Sequence, residues 1–188
     1  RLHGQTITLV EILPVVERMA RLAERAGGII RRVNDFARRR ELVRHRLDLV
    51  AFMTRVLASA GESTTPPVSW VPPEYPVWID ADELLLEHLV HNLVGNAQYW
   101  ATQGGHSEQG AQGHKVKLEL SQDAAMGEVV LSVSDTGPGV NEEALASIFN
   151  AFVSRKEGGM GMGLAICRSI VEAHHGRIEV SRDPILTG

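Results

Sequence analysis

A single cysteine, Cys167, stands among 188 residues, so no disulfide can close within the chain. That scarcity suits a reducing compartment. No apolar run approaches the roughly eighteen residues that a membrane span requires, and the first residues carry no signal-peptide pattern. A cytoplasmic location is the expectation, with any membrane contact made through segments outside these residues. A basic excess is also missing: the formal net charge is −4, which argues against nucleic acid as a direct partner. The charge is nevertheless uneven. Ten arginines lie between Arg18 and Arg46 and leave the remainder acidic, which suggests two segments, 1–44 and 45–188. With 44% hydrophobic residues the chain can bury a full core.

In the first segment Ile12, Val16, Met19, Ala23, Ala26, Ile30, Val33 and Ala37 recur at alternating four- and three-residue steps. That is the seam of a coiled coil or antiparallel bundle. Gly27 and Gly28 each cost about 1 kcal/mol relative to alanine, so packing against a partner must stabilise the helix. The arginines mostly fall off the seam, as a solvated face or as a docking face for an acidic partner. In the second segment the pattern predicts a helix over 49–60, then two short strands joined by a turn in "TTPPVSWVPPEYPVWID". Asp80 and Glu83 have the spacing of a capping box for the helix that follows. A loop rich in Gly, Gln and His comes next, then strands over 116–120 and 129–135. Helices over 142–149 and 163–175, the latter closed by Gly176, and a strand over 177–180 complete the reading.

Three features point to chemistry. Alternation puts Val129, Leu131, Val133 and Asp135 on one face of a strand, so a carboxylate lies on the core side. It needs partners there, which a ligand can supply as well as the protein can. His88, Asn92 and Asn96 recur every four residues along one helical face. The two amides can form a structural network, or their oxygens can suit a hard cation such as Mg²⁺ that carries phosphates. In "KEGGMGMGLAI" several glycines precede an apolar helix, where backbone amides and the helix N-terminus favour an anion. His88 and His91 have metal-ligand spacing but no third ligand, and Cys167 reads as a small core residue.

The stretches "HNLVGNA", "DTGPGV", "IFNAFVSRK" and "GGMGMGLAICRSIVEAHHG" resemble, in order and spacing, the N, G1, F and G2 boxes of sensor histidine kinases. The likeness runs from about Asp48 to Val180 and is greatest to the oxygen- and dicarboxylate-sensing group. It implies an α+β fold, a two-layer α/β sandwich of the gyrase, chaperone, histidine-kinase and mismatch-repair type, preceded by a long bundle-forming helix. The cofactors implied are ATP and Mg²⁺. Asp135 would accept from the adenine amino group, with Gly137 and Gly139 leaving room for the ring, and Asn96 would ligate the metal. Asn92 stands where the ATPase relatives carry a water-activating glutamate, which speaks for phosphoryl transfer to a protein over hydrolysis. Phe149 and Phe152 would pack under the lid, and Arg155 or Lys156 would approach the terminal phosphate. Gly159, Gly161, Gly163 and Leu164 would line the nucleotide, and Asn92 and Lys156 would serve catalysis.

The resemblance further implies a homodimer through the helical bundle and a response-regulator receiver domain as partner. The departures are specific. No histidine here is followed by the acidic residue and proline of the family's phosphoacceptor; His3 and His45 lie in other contexts. The acceptor helix is expected to precede Arg1, and the family's final strand to follow "SRDPILTG". Tyr99 and Trp100 replace smaller residues, and His175 stands where glycine is usual. The leading expectation is an ATP-dependent protein-histidine kinase core. The alternative is a non-catalytic nucleotide-binding and dimerisation module that signals by conformation.

Overall fold

The alternation around residues 129–135 is realised as a strand in the computed structural model, which describes residues 42–59, 66–103, 115–123, 127–156 and 159–181. The chain divides into two compact units, Arg1–Val43 and Arg44–Gly188, and the elements below belong to the second. The bundle-forming seam, His3 and the glycine-rich loop from residue 104 to 114 lie outside the described residues.

The unit opens with a strand absent from the sequence expectation, β1 (His45–Asp48), followed directly by α1 (Leu49–Ser59). Four residues are too few for a period of two to stand out. Asp48 accepts from the Val50 N–H at 3.0 Å and so turns the strand into the helix. Leu49, Phe52, Met53 and Val56 form the buried stripe of α1, the spacing expected of a helix with one face on a core.

The proline-rich stretch yields β2 (Val68–Trp70) and β3 (Trp78–Ala81), and these do not pair with each other. Pro72, Pro73 and Pro76 between them lack the N–H groups that a hairpin ladder needs. Instead β3 runs antiparallel to β1, with Arg46 opposite Asp80. β2 runs parallel to β4 (Val116–Asp123), which is antiparallel to β5 (Glu128–Asp135). Val116, Leu118, Leu120, Leu131 and Val133 turn to the core, while Lys117 and Glu119 pair on the outer face at 2.8 Å. The three-stranded sheet is thus apolar on one side only.

Helix α2 (Glu83–Gln103) covers that side with Leu86, Leu89, Val90, Val94, Ala97 and Ala101. Its cap is Asp82, which accepts from the Leu85 N–H at 3.2 Å, and not the expected Asp80. Asp80 is held in the β3 ladder, so the capping position moves two residues on, and Glu83 pairs with Arg55. Helix α3 (Glu142–Leu145) is shorter than expected. Beyond it the Ser147 and Asn150 N–H groups bond three residues back, and the Ser147 hydroxyl competes for the Ala144 carbonyl at 3.3 Å.

Helix α4 (Gly163–Ala173) ends in a Schellman turn. The Gly176 N–H reaches the Val171 carbonyl at 2.9 Å and the His175 N–H reaches that of Glu172 at 3.0 Å. His175, not Gly176, takes the left-handed position, at φ 62°. His174 ties the helix to α2: Nδ1–H donates to the Ile170 carbonyl at 2.8 Å, and Nε2 accepts from the Asp82 N–H at 3.0 Å. Residues 177–180 form no strand. Side chains hold this segment instead, through Arg177 to Glu128 at 2.8 Å and to Glu179 at 3.3 Å. No helix among the described residues is long and apolar enough to cross a membrane.

Candidate functional site

Helix α2 carries the first components. Asn92 spends one amide hydrogen on the His88 carbonyl one turn back, at 2.8 Å, which directs its oxygen away from the helix axis. Facing it is Gly163, the first residue of α4. A Cβ there would lie 3.3 Å from Asn92 Oδ1 and 3.7 Å from Asn96 Nδ2. The glycine-rich helix start and both asparagines therefore meet directly. The first bond of the α4 ladder runs from Ile166 to Met162, and no side chain caps this end. The N–H groups of Gly163 and Leu164 precede that ladder, where the helix is electropositive.

The second component sits at the other end of α2. Asp135 closes β5, half-buried, and burial raises its carboxyl pKa while the bond from Gly137 N–H to Oδ1, at 2.8 Å, opposes that rise. A Cβ on Gly137 would stand 2.8 Å from the Trp100 carbonyl oxygen and 2.6 Å from Asp135 Oδ1. The space at Gly137 is thus taken by the close approach of this turn to α2. Gly139 holds a left-handed φ of 71° that residues with a side chain rarely adopt. Along the helix, Trp100 lies about 6 Å from Asn96 and about 12 Å from Asn92 at the α-helical rise. The half-buried carboxylate, beside Trp100, and the pair of amides beside a helix N-terminus therefore lie two to three helical turns apart at most along α2. An elongated ligand with a hydrogen-bonding ring at one end and an anion at the other matches that order.

The remaining candidates lie between α3 and α4. Gly161, at φ 66°, leaves no room for a Cβ, which would stand 2.6 Å from Phe152 and Val153 backbone atoms. Its carbonyl accepts from the Phe152 N–H at 2.9 Å. Phe152 makes that bond with a left-handed φ of 68° and is 72% exposed. Phe149 is half-buried. Arg155 donates to Asn141 Oδ1 at 3.0 Å, the same oxygen that caps α3. Gly159 bonds back to the Lys156 carbonyl at 2.8 Å, and Lys156 Nζ stands 4.1 Å from the centre of the Tyr99 ring.

Among the described residues no group of three His, Cys, Asp or Glu could hold a metal, and His91 pairs with Glu87 at 3.6 Å. The side chains at the α4 end are the amides of Asn92, which presents Oδ1, and Asn96, which presents Nδ2, a poor set for a closed transition-metal site. An amide oxygen is the kind of donor that suits Mg²⁺, which keeps waters and binds largely through phosphates. Sequence reasoning passed over the Trp100 carbonyl, the Asn141 anchor and the Tyr99 platform. Only the last carried a signal, the bulky pair following Asn96.

A two-layer α+β domain that sets an asparagine-bearing helix against a glycine-rich helix start, with a carboxylate at the far end, defines an ATP-binding domain of the GHKL type. The family model described as "Histidine kinase-, DNA gyrase B-, and HSP90-like ATPase" matches residues 81–188, and the chain belongs to that family. It is 37% identical over 170 residues to the C4-dicarboxylate transport sensor protein DctS of Rhodobacter capsulatus, covering 86% of this chain and 24% of that one. It is 32% identical over 179 residues to the sensor histidine kinase TmoS of Ectopseudomonas mendocina, covering 94% of this chain and 18% of that one. The chain thus spans a quarter or less of the length of these relatives. Among solved structures, full-length ShkA in complex with AMPPNP aligns with a TM-score of 0.61 at 28% identity, over 95% of this chain and 37% of that one. The mycobacterial sensor histidine kinase MprB, at 23% identity and a TM-score of 0.55 over 71% of this chain and 81% of that one, shares the fold. The resemblance and fold class read from the sequence both hold.

Proposed function

We propose that the chain is the ATP-binding core of a two-component sensor histidine kinase: it binds Mg²⁺-ATP and passes the γ-phosphate to a histidine on a neighbouring helix, from which a response-regulator aspartate takes it. The observation that carries this reading is the meeting of Asn92, Asn96 and Gly163. Asp135 accepts from the adenine amino group, and the N–H groups of Gly163 and Leu164 receive phosphate oxygens. The Asn96 amide oxygen would hold Mg²⁺, which when bound would neutralise phosphate charge. Asn92 supplies an amide where a hydrolase needs a basic carboxylate, so the site can orient a phosphoryl group without activating water. Lys156 and Arg155 provide cations for the terminal phosphate.

The work of such a site is positioning and charge stabilisation, and the acceptor must be delivered by the helical bundle of a homodimer. Among the described residues, His45 lies in a strand and His174 is engaged at the α4 terminus. With γ-labelled ATP, the chain should bind nucleotide without labelling itself. A longer chain carrying a preceding helix with a histidine followed by an acidic residue should acquire acid-labile phosphate. If the longer chain binds ATP yet never labels, the conformational module replaces this reading.

A further inference from the structure

Asn92, Asn96 and Tyr99 stand at i, i+4 and i+7 on α2, within about 60° of one another around the helix. The first two face Gly163, and the third carries Lys156 Nζ over its ring at 4.1 Å from the centroid. That is well inside the roughly 6 Å within which an ammonium is attracted by an aromatic face. The ring is itself fixed, packed edge-on against Trp100 at 5.1 Å and 82°. The lysine backbone is held from both sides. Its N–H donates to Ser154 Oγ at 3.1 Å, and its carbonyl accepts from the Gly159 N–H at 2.8 Å. No carboxylate pairs with Lys156 among the described residues. Its ammonium therefore stands over the α2 stripe one turn beyond Asn96.

We infer that Tyr99 is a positioning residue that holds Lys156 beside the asparagine stripe, so that the ammonium meets the terminal phosphates of the nucleotide. This deepens the kinase reading and rests on it. A flexible lysine on a loop loses rotamer freedom when it engages a phosphate. A ring that already confines it reduces that loss, and the flat face imposes no competing hydrogen bond. Tyrosine supplies the platform through its ring, so the hydroxyl is dispensable. Lys156 acts directly on phosphate; Tyr99 acts only through Lys156.

The test measures binding of Mg²⁺-ATP and of adenosine by the 188-residue chain and its variants in titration calorimetry. Tyr99→Leu should weaken Mg²⁺-ATP by about two- to fivefold, the size of an exposed cation–π contact, and leave adenosine unchanged. Tyr99→Phe should match wild type. Lys156→Gln should lose at least as much as Tyr99→Leu, and adding Tyr99→Leu to it should cost nothing further, because the two act as one unit. Tyr99→Met is read in the same way if the leucine variant does not fold. The inference alone is overturned if Tyr99→Leu weakens adenosine equally, if it tightens ATP, if phenylalanine fails to rescue, or if the double variant is additive. A wild-type chain that binds no nucleotide overturns the kinase reading together with it.

Discussion

Gly163 meets Asn92 so closely that a Cβ on the glycine would stand 3.3 Å from the asparagine oxygen. The start of α4 and the polar face of α2 are therefore in contact without a spacer, and any side chain at 163 enters the space where phosphates are proposed to lie. Alanine demands a shift of a few tenths of an ångström; a β-branched residue demands more. Gly163→Val should lower Mg²⁺-ATP affinity by about tenfold, or 1.4 kcal/mol, while its far-UV spectrum stays native. Affinity unchanged in calorimetry would place the phosphates elsewhere.

Asp135 carries a raised pKa because burial opposes its charge. The sign follows. A folded-state pKa above the unfolded value means that the folded chain binds the extra proton, so the stabilising contribution is complete below the ordinary value of 3.8 and is lost as pH rises through the folded pKa. Asp135→Asn keeps an acceptor for the Gly137 N–H and removes the buried charge. Its melting temperature should exceed that of wild type at pH 7, and the advantage should shrink toward pH 4. Asp135→Ala should weaken ATP roughly ten- to 150-fold, as expected for a lost hydrogen bond to a charged group. A flat melting difference across that pH range, or wild-type affinity in the alanine variant, would remove the carboxylate from its proposed role.

Where local pattern and tertiary demand agree, the sequence is readable: the alternation of β5 delivers Val129, Leu131 and Val133 to the core because α2 covers that one face of the sheet. The asparagine stripe and the glycine-rich helix start are legible separately, since each is a local pattern, but their contact through Gly163 is a long-range fact. Misreadings arise where a neighbour claims a residue. Asp80 loses the capping role because the β1–β3 ladder holds it. Strand β1 is too short to show a period, and residues 177–180 have strand composition but are held by Arg177 side-chain bonds. No composition rule shows Lys156 over Tyr99, which requires the loop and α2 to be placed together.

Asn96 separates metal-dependent from metal-independent binding. The amide makes no other side-chain hydrogen bond among the described residues and lies one turn from Asn92 on the stripe facing Gly163. Asn96→Ala should therefore abolish the gain in ATP affinity that Mg²⁺ confers and leave adenosine affinity within about twofold, since the metal touches only the phosphate end. Titrations with and without Mg²⁺ decide it. Equal losses for ATP and adenosine would make Asn96 a packing residue.

His175 takes the left-handed turn that ends α4, at φ 62°, a conformation that costs a residue with a Cβ about 1–2 kcal/mol. Glycine avoids that cost but adds freedom to the unfolded chain, worth about 0.5–1 kcal/mol in the other direction. The balance favours glycine, so His175→Gly should raise stability by about 0.5–1 kcal/mol, a shift of about 1–4 °C for a chain of this size. The neighbouring histidine behaves oppositely. His174 accepts the Asp82 N–H with one ring nitrogen and donates to the Ile170 carbonyl with the other. His174→Ala should therefore remove the imidazole acceptor of the Asp82 N–H and the tie between α4 and the start of α2, at about 1–3 kcal/mol, while the backbone N–H of residue 174 still serves the Ile170 carbonyl. Thermal melts of the two variants, compared at neutral pH, should move in opposite directions. A destabilised His175→Gly would mean that the imidazole makes contacts outweighing its backbone strain, and an unchanged His174→Ala would mean that water replaces both bonds.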